Sequence, residues 1–226
     1  MADVSLLVHA GRLVAAHDSP VVFGAGVAIS GDSIKEIGDF QQLAAKYPSV
    51  RKIGGSNFLL IPGLVNAHGH GRGLSTFQRG TIDNTLETWI WGTRKSPSLP
   101  VYDDTAFSAC RLLKSGVTAA MHNHLSANPA NCEDETHHAL DAYQDTGLRT
   151  FFCPGVRNTR PLVYGDNQAF LSSLPDRLHK YWTAVLSVPA LSAEDYVSSV
   201  KKLYAARQTD MIKIGFGPLA PQWCSL

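Results

Sequence analysis

The chain has 226 residues, of which 44% are hydrophobic, and its formal net charge is +1. A charge so close to zero argues against the basic surface of a nucleic-acid-binding protein and against a polybasic membrane anchor. No apolar run approaches the length that spans a bilayer, and the N-terminus lacks the features of a secretory signal, so we expect a cytoplasmic protein.

Residues 1–58 have the pattern of short strands joined by turns. Strands are expected at residues 4–8, 11–14, 21–29 and 33–38, followed by one or two helical turns at residues 40–47. The turn Ser30-Gly31-Asp32 predicts a hairpin between the last two of these strands. We therefore predict a small β domain over residues 1–58.

At residue 59 the pattern changes to strands that alternate with helices, which is typical of parallel βα units. The predicted strands cover residues 59–67, 117–123, 149–153 and 211–216. The predicted helices cover residues 103–115, 133–146, 175–185 and 193–207. A TIM-type barrel takes roughly 250 residues for its eight units. Residues 59–226 are therefore expected to hold about four βα units, which is half of such a barrel.

Two histidines close the first of these strands. The segment from Leu59 to His70 reads as an apolar run, a Pro-Gly, a second apolar run and then His-x-His. Alternate side chains of a strand share a face, so His68 and His70 should point the same way. Two neutral imidazoles on one face supply half of a divalent metal site. The alternative is a buried pair that is hydrogen-bonded to carbonyls, but the carboxyl end of a barrel strand favours a metal site.

The segment Pro62-Gly63-Leu64-Val65-Asn66-Ala67-His68-Gly69-His70 resembles the PG-aliphatic-aliphatic-N/D-x-H-x-H motif of the metal-dependent amidohydrolase superfamily. Within this superfamily, the segment more narrowly resembles the branch of cytosine and guanine deaminases and triazine chlorohydrolases. Three shorter matches follow in chain order: Arg72-Gly73-Leu74, Ser115-Gly116-Val117-Thr118 and Gly217-Pro218-Leu219-Ala220-Pro221. The resemblance implies an α/β fold in which residues 1–58 form part of a small β-sandwich. Residues 59–226 would be the N-terminal half of a (β/α) barrel.

The resemblance also implies an activity, namely the hydrolysis of non-peptide C–N bonds by metal-activated water, as in deaminases and aminohydrolases. His68 and His70 would bind the metal, with zinc preferred and iron possible, since imidazole suits both. In the family the remaining His and Asp ligands and a proton-moving Glu lie on later strands, which here would fall beyond Leu226. The implied substrate is a small nitrogen heterocycle or amidine.

Four further residues are candidates for substrate binding: Gln78, His122, His124 and Gln222. His122 and His124 form a second His-x-His at the end of the second barrel strand, and so at the same end of the barrel as the first pair. A four-imidazole cluster is geometrically conceivable. The family does not normally use this strand for its metal, which favours a pocket or a core role for one of the two. Gln78 lies in the loop after the first strand, and Gln222 follows the fourth.

Two metal ligands without the others predict a chain that is inactive alone. Three explanations are open. The chain is a fragment or truncated product of a longer hydrolase, one half of a split enzyme that needs a complementing half-barrel chain, or a non-catalytic binding or regulatory remnant. A half barrel also exposes two sheet edges, which favours association, including a homo-oligomer. No nucleic-acid or membrane partner is expected.

Overall fold

The computed structural model describes residues 4–93, 95–126, 132–159 and 161–224. The chain divides into two compact units, Met1–Gly63 and Leu64–Leu226. Within the described ranges, no helix combines the length and the apolar character needed to cross a membrane. The predicted fold class is confirmed, because a small sheet comes first and a sheet of parallel strands alternating with helices follows.

The first unit is a four-stranded sheet with one helix. Its elements are β1 (Leu6–Leu13), β2 (Val22–Ser30), β3 (Ser33–Asp39), α1 (Phe40–Lys46) and β4 (Arg51–Leu60). The strand order is β3-β2-β1-β4, in which β4 is parallel to β1 and the other neighbours are antiparallel. Asp39 caps α1 by accepting a hydrogen bond from the backbone N–H of Gln42 at 3.0 Å. The predicted hairpin and helical turns are confirmed, and β1 replaces the two short strands expected within residues 4–14.

The strand predicted over residues 59–67 is two strands. Its first two residues end β4 and pair with the end of β1, so they belong to the first sheet. The next strand, β5 (Leu64–Gly69), begins after Pro62 and Gly63. Proline has no N–H to donate to a ladder, so the pairing of the first sheet ends here before that of the second begins. The expected domain boundary between residues 58 and 59 falls inside β4, and the compact units separate after Gly63.

The second unit is built from parallel strands and helices. Its elements are β5, α2 (Leu86–Thr93), α3 (Val101–Lys114), β6 (Val117–His124), α4 (Cys132–Thr146), β7 (Arg149–Val156), α5 (Asn167–Ser172), α6 (Asp176–Ser187), α7 (Ala193–Arg207), β8 (Ile212–Ile214) and β9 (Gly217–Pro218), followed by a 3₁₀ turn at Pro221–Trp223. The strand order is β5-β6-β7-β8, all parallel, and β9 pairs with β7. Helices α2 and α5 are additions to the predicted set.

Helices cover one face of this parallel sheet. Ala109 of α3, Leu140 of α4 and Val200 of α7 pack in one core cluster with Phe152 of β7. The neighbouring residue Phe151 points to the other face, where its side chain is exposed. Because the strands are parallel, their carboxyl ends meet at one edge of the sheet, and the two His-x-His segments end there together.

Candidate metal centre

The first histidine pair lies at the carboxyl end of β5. His68 belongs to the strand and His70 follows directly after it. Their ring centroids are 5.0 Å apart, the ring planes are perpendicular, and both side chains are exposed. Two imidazoles bound to one tetrahedral ion at ordinary zinc–nitrogen distances would have centroids roughly 5 Å apart. The spacing of the pair is therefore compatible with a shared ion.

Asn123, near the end of β6, contacts both rings of this pair. Its backbone carbonyl oxygen lies 2.8 Å from Nδ1 of His70. Its side-chain Nδ2 lies 3.2 Å from Nδ1 of His68. On the other side, Oδ1 of Asn66 accepts a hydrogen bond from the backbone N–H of His68 at 3.3 Å. The pair is thus held by two asparagines on adjacent strands.

The second histidine pair faces the opposite way. Side chains alternate along β6, so His122 and His124 point away from the face that Asn123 shares with the first pair. Both rings are buried, with exposed fractions of 1% and 4%. The hydroxyl of Tyr143 in α4 lies 3.1 Å from Nδ1 of His122, and the ring of Phe152 packs against both imidazoles.

Burial keeps these two imidazoles neutral. Loss of hydration lowers the pKa of His122 well below its ordinary value and that of His124 to about 4, and the positive charge of Arg72 acts in the same direction on both. Among the described atoms, the Nε2 atoms of both rings are buried and lack a hydrogen-bond partner. The role of this pair as substrate contacts stays a prediction, and its packing favours the core role that was the alternative.

The two glutamines predicted to bind substrate lie in turns. Oε1 of Gln78 accepts hydrogen bonds from the backbone N–H and the hydroxyl of Ser75, at 2.9 and 3.2 Å, within the loop after β5. Gln222 lies in the 3₁₀ turn after β9, where its backbone carbonyl accepts a hydrogen bond from the hydroxyl of Thr159 at 3.1 Å. Both side chains are exposed, and their substrate contacts also stay predictions.

The loop that follows the histidine pair is anchored to α3 at Gly73. The carboxylate of Asp104, 6% exposed, accepts a hydrogen bond from the backbone N–H of Gly73 at 2.7 Å. The guanidinium of Arg111 donates to the carbonyl of the same glycine at 2.8 Å. A second guanidinium, that of Arg72, lies 3.9 Å from the Asp104 carboxylate. Both backbone groups of Gly73 are therefore bonded to one helix.

We expect Asp104→Ala to destabilise the chain by about 1–3 kcal/mol, because it leaves the N–H of Gly73 without its acceptor. Asp104→Asn keeps an acceptor oxygen at the same place and should therefore lose less stability. Urea unfolding of both variants beside the unmodified chain measures the difference. Equal losses for the two variants would mean that the hydrogen bond to Gly73 does not anchor the loop.

Imidazoles from one strand do not complete a metal site. In the part of the chain that the structure describes, no group of three or more His, Cys, Asp or Glu side chains is placed to hold an ion. A catalytic zinc site ordinarily takes three protein ligands and an open position. The donor set of His68 and His70 thus fits part of such a site.

The chain is similar in sequence to several deaminases. No protein-family model matches the chain. A 5-methylthioadenosine/S-adenosylhomocysteine deaminase of Nitratidesulfovibrio vulgaris is 29% identical over 168 residues, which is 72% of this chain and 36% of the relative. A 5'-deoxyadenosine deaminase of Methanococcus vannielii is 27% identical over 202 residues, which is 87% of this chain and 40% of the relative.

The chain resembles the metal-dependent amidohydrolase superfamily, as its His-x-His motif predicts. Its resemblance to the deaminase and triazine hydrolase branch is confirmed by these relatives and by the solved structures below. The chain spans less than half the length of the relatives it matches.

Solved structures show the same fold. A mutant atrazine chlorohydrolase of Arthrobacter aurescens, complexed with zinc and atraton, superposes on this chain with a TM-score of 0.71 at 18% identity. The match covers 97% of this chain and 48% of that one. An adenosine deaminase of Xanthomonas campestris with bound zinc gives a TM-score of 0.66 at 20% identity, over 95% and 43% of the two chains. Both solved neighbours carry zinc, which supports a divalent metal in the family.

The sequence pattern alone does not single out Asn123 or Asp104. Asn123 lies between two histidines that attract attention by their spacing, and the alternation of a strand puts it on the other face from them. That alternation is a usable signal once the register of β5 against β6 is known. Asp104 reads as one of two acids in the first turn of a helix, and nothing local distinguishes it from Asp103.

Proposed function

We propose that this chain supplies the His-x-His part of the active site of a metal-dependent hydrolase that acts on non-peptide C–N bonds. The observation that carries the proposal is the position of His68 and His70 at the carboxyl end of the first parallel strand, where their ring centroids lie 5.0 Å apart. In barrels of this type, the catalytic residues lie at the carboxyl ends of the strands. The deaminases and hydrolases that the chain resembles support the reaction class.

The residues of this chain have distinct tasks in that site. His68 and His70 would hold a divalent ion, zinc before iron, because the solved neighbours carry zinc. Asn123 holds both rings, and the bonds from α3 to Gly73 fix the loop that follows. His122 and His124 stay uncharged beneath the site and so add no positive charge that would repel a cation.

When bound, a zinc ion supplies Lewis-acid activation of water near neutral pH. His68 and His70, both exposed, would hold that ion. The remaining ligands and the acid–base group of the reaction would be supplied by residues outside this pair, in a longer form of the protein or in a complementing chain. Association of that kind, or as a homo-oligomer, is part of the proposal.

The relatives support the substrate class. They are deaminases of methylthioadenosine, S-adenosylhomocysteine and deoxyadenosine, and a solved neighbour is a triazine hydrolase. All of these compounds are amino-substituted or otherwise substituted nitrogen heterocycles. We infer a small nitrogen heterocycle as substrate, acted on in the cytoplasm as the sequence predicts.

Zinc titration of the chain and its single-histidine variants tests the ligand assignment. We expect His68→Ala and His70→Ala each to weaken zinc binding by more than the ~10–100-fold that loss of an outer partner of a ligand costs. Isothermal titration, with competition by a metal indicator, measures the affinity. His138→Ala is the matched control, since it removes an exposed imidazole of α4. If His68→Ala and His70→Ala bind zinc as the control does, the assignment is wrong.

A further inference from the structure

Asn123 contacts His68 and His70 through two different groups. The carbonyl oxygen of its backbone contacts Nδ1 of His70, and the amide nitrogen of its side chain contacts Nδ1 of His68. Each of these groups can take only one part in a hydrogen bond: a carbonyl oxygen accepts and an amide NH₂ donates. The position of the proton on each ring therefore follows from its contact with Asn123.

We infer that Asn123 is a positioning residue that sets the ring tautomers of His68 and His70, an inference that rests on the proposed function. His70 must donate to the carbonyl, so its proton is on Nδ1 and the lone pair of Nε2 is available. This is the arrangement in which metal-binding histidines are commonly held, with the second ring N–H bonded to a backbone carbonyl. Because the acceptor is main chain, the tautomer of His70 does not depend on the side chain at position 123.

His68 has the opposite tautomer. Its Nδ1 accepts from the amide of Asn123, so its proton is on Nε2, the nitrogen that would have to bind the ion. The other arm of the same carboxamide is an oxygen. A half-turn of the side-chain amide would present this oxygen to Nδ1, move the ring proton to Nδ1 and free Nε2. In one orientation, the carboxamide of Asn123 keeps the proton of His68 on Nε2 and so prevents metal binding there. In the other orientation, the proton lies on Nδ1 and Nε2 is free to bind a metal.

The position of Asn123 explains why this residue can act on both rings. β6 lies beside β5 with Gly69 opposite His122, so the backbone of residue 123 runs next to His70. Its side chain shares the face of His68, whereas its two histidine neighbours are buried toward the helices. In the described part of the second unit, no other side chain is hydrogen-bonded to the ring of His68 or His70.

The test is the proton position on each imidazole in the metal-free chain, read from ring nitrogen-15 chemical shifts in two-dimensional NMR. In the unmodified chain we expect His70 protonated at Nδ1 and His68 at Nε2. Asn123→Asp offers only acceptor oxygens and should move the proton of His68 to Nδ1. Asn123→Ala removes the partner and should leave a mixture of both forms. His70 should keep its tautomer throughout, which makes it an internal control.

Zinc affinity gives the second readout. Asn123→Ala should bind zinc about 10–100-fold more weakly than Asn123→Asp, because only Asp keeps an outer acceptor for a proton on Nδ1 of His68. Asn123→Asp should bind at least as tightly as the unmodified chain, because the acceptor that His68 needs is already in place. A residue that only supports the fold would weaken binding in both variants. Asn84→Ala, a remote substitution of the same type in the loop before α2, should change neither readout.

The two readouts separate this inference from the proposed function. If the tautomer of His68 is the same with Asn, Asp and Ala at position 123, the positioning role is overturned even if zinc binds. If the tautomer of His68 responds as expected while His68→Ala leaves zinc binding unchanged, the proposed metal site fails and the role of Asn123 in the tautomer stands.

Discussion

Gly71→Ala should lower the free energy of unfolding of the chain by about 2–5 kcal/mol. Gly71 has φ of +61°, a left-handed conformation that costs a residue with a side chain roughly 1–2 kcal/mol. A Cβ at this position would also lie 2.7 Å from Nδ1 of His122 and closer still to Cε1. His122 is buried against Tyr143 and Phe152, so the ring has no free space to move into. Forcing extra volume into a packed core typically costs 1–3 kcal/mol more.

Gly116→Ala is the matched control for this prediction. Gly116 has φ of +85°, and a Cβ built there would meet nothing within 4 Å. The control therefore carries the backbone strain without the collision, and we expect it to cost only about 1–2 kcal/mol. Urea unfolding, followed by circular dichroism, gives both values. Equal losses for Gly71→Ala and Gly116→Ala would show that the contact of Gly71 with the His122 ring does not constrain the loop.

Acid should destabilise the chain through the buried pair in β6. The pKa of His124 in the folded chain is about 4, against an ordinary value of 6.5, chiefly because burial removes its hydration. Between these two values the unfolded chain binds a proton that the folded chain does not. Stability is therefore full above pH 6.5 and falls as the pH drops toward 4. A difference of this size corresponds to about 3 kcal/mol when the loss is complete. His122, whose pKa burial lowers well below its ordinary value, acts in the same direction.

The variant His124→Phe isolates this contribution. An aromatic ring without a titrating nitrogen keeps the contact with Phe152 and removes the proton that only the unfolded state takes up. Unfolding free energies measured at intervals from pH 7 to 5 should fall less steeply for this variant than for the unmodified chain. His138→Phe, an exposed position on α4, is the control. A pH slope for His124→Phe equal to that of the control would contradict the argument.

The sequence predicts the βα alternation and the first histidine pair because both depend on local signals. Glycines follow two of the helices, and His-x-His on a strand determines a shared face whatever the neighbours are. The division of residues 59–67 into two strands could not be predicted in the same way. It depends on Leu59 and Leu60 pairing with β1, which lies more than forty residues earlier in the chain.

The second histidine pair shows more clearly what cannot be predicted from local sequence signals. The spacing of His122 and His124 places them on one face, but only the register of β5 against β6 decides which face that is. The same register brings Asn123 to His68 and His70. Likewise, the need for glycine at position 71 comes from a ring that lies fifty-one positions later in the sequence. These relations between distant residues become visible only when the strands are paired.

The contact between Gly71 and the ring of His122 predicts a pattern of evolution. A side chain smaller than histidine at position 122 would leave room above it, and position 71 could then accept residues other than glycine. In diverging amidohydrolases with this strand arrangement, the two positions should vary together, with glycine retained wherever a large ring occupies the second. Exchange of either residue alone between such relatives should then be poorly tolerated, and exchange of both together should be accepted.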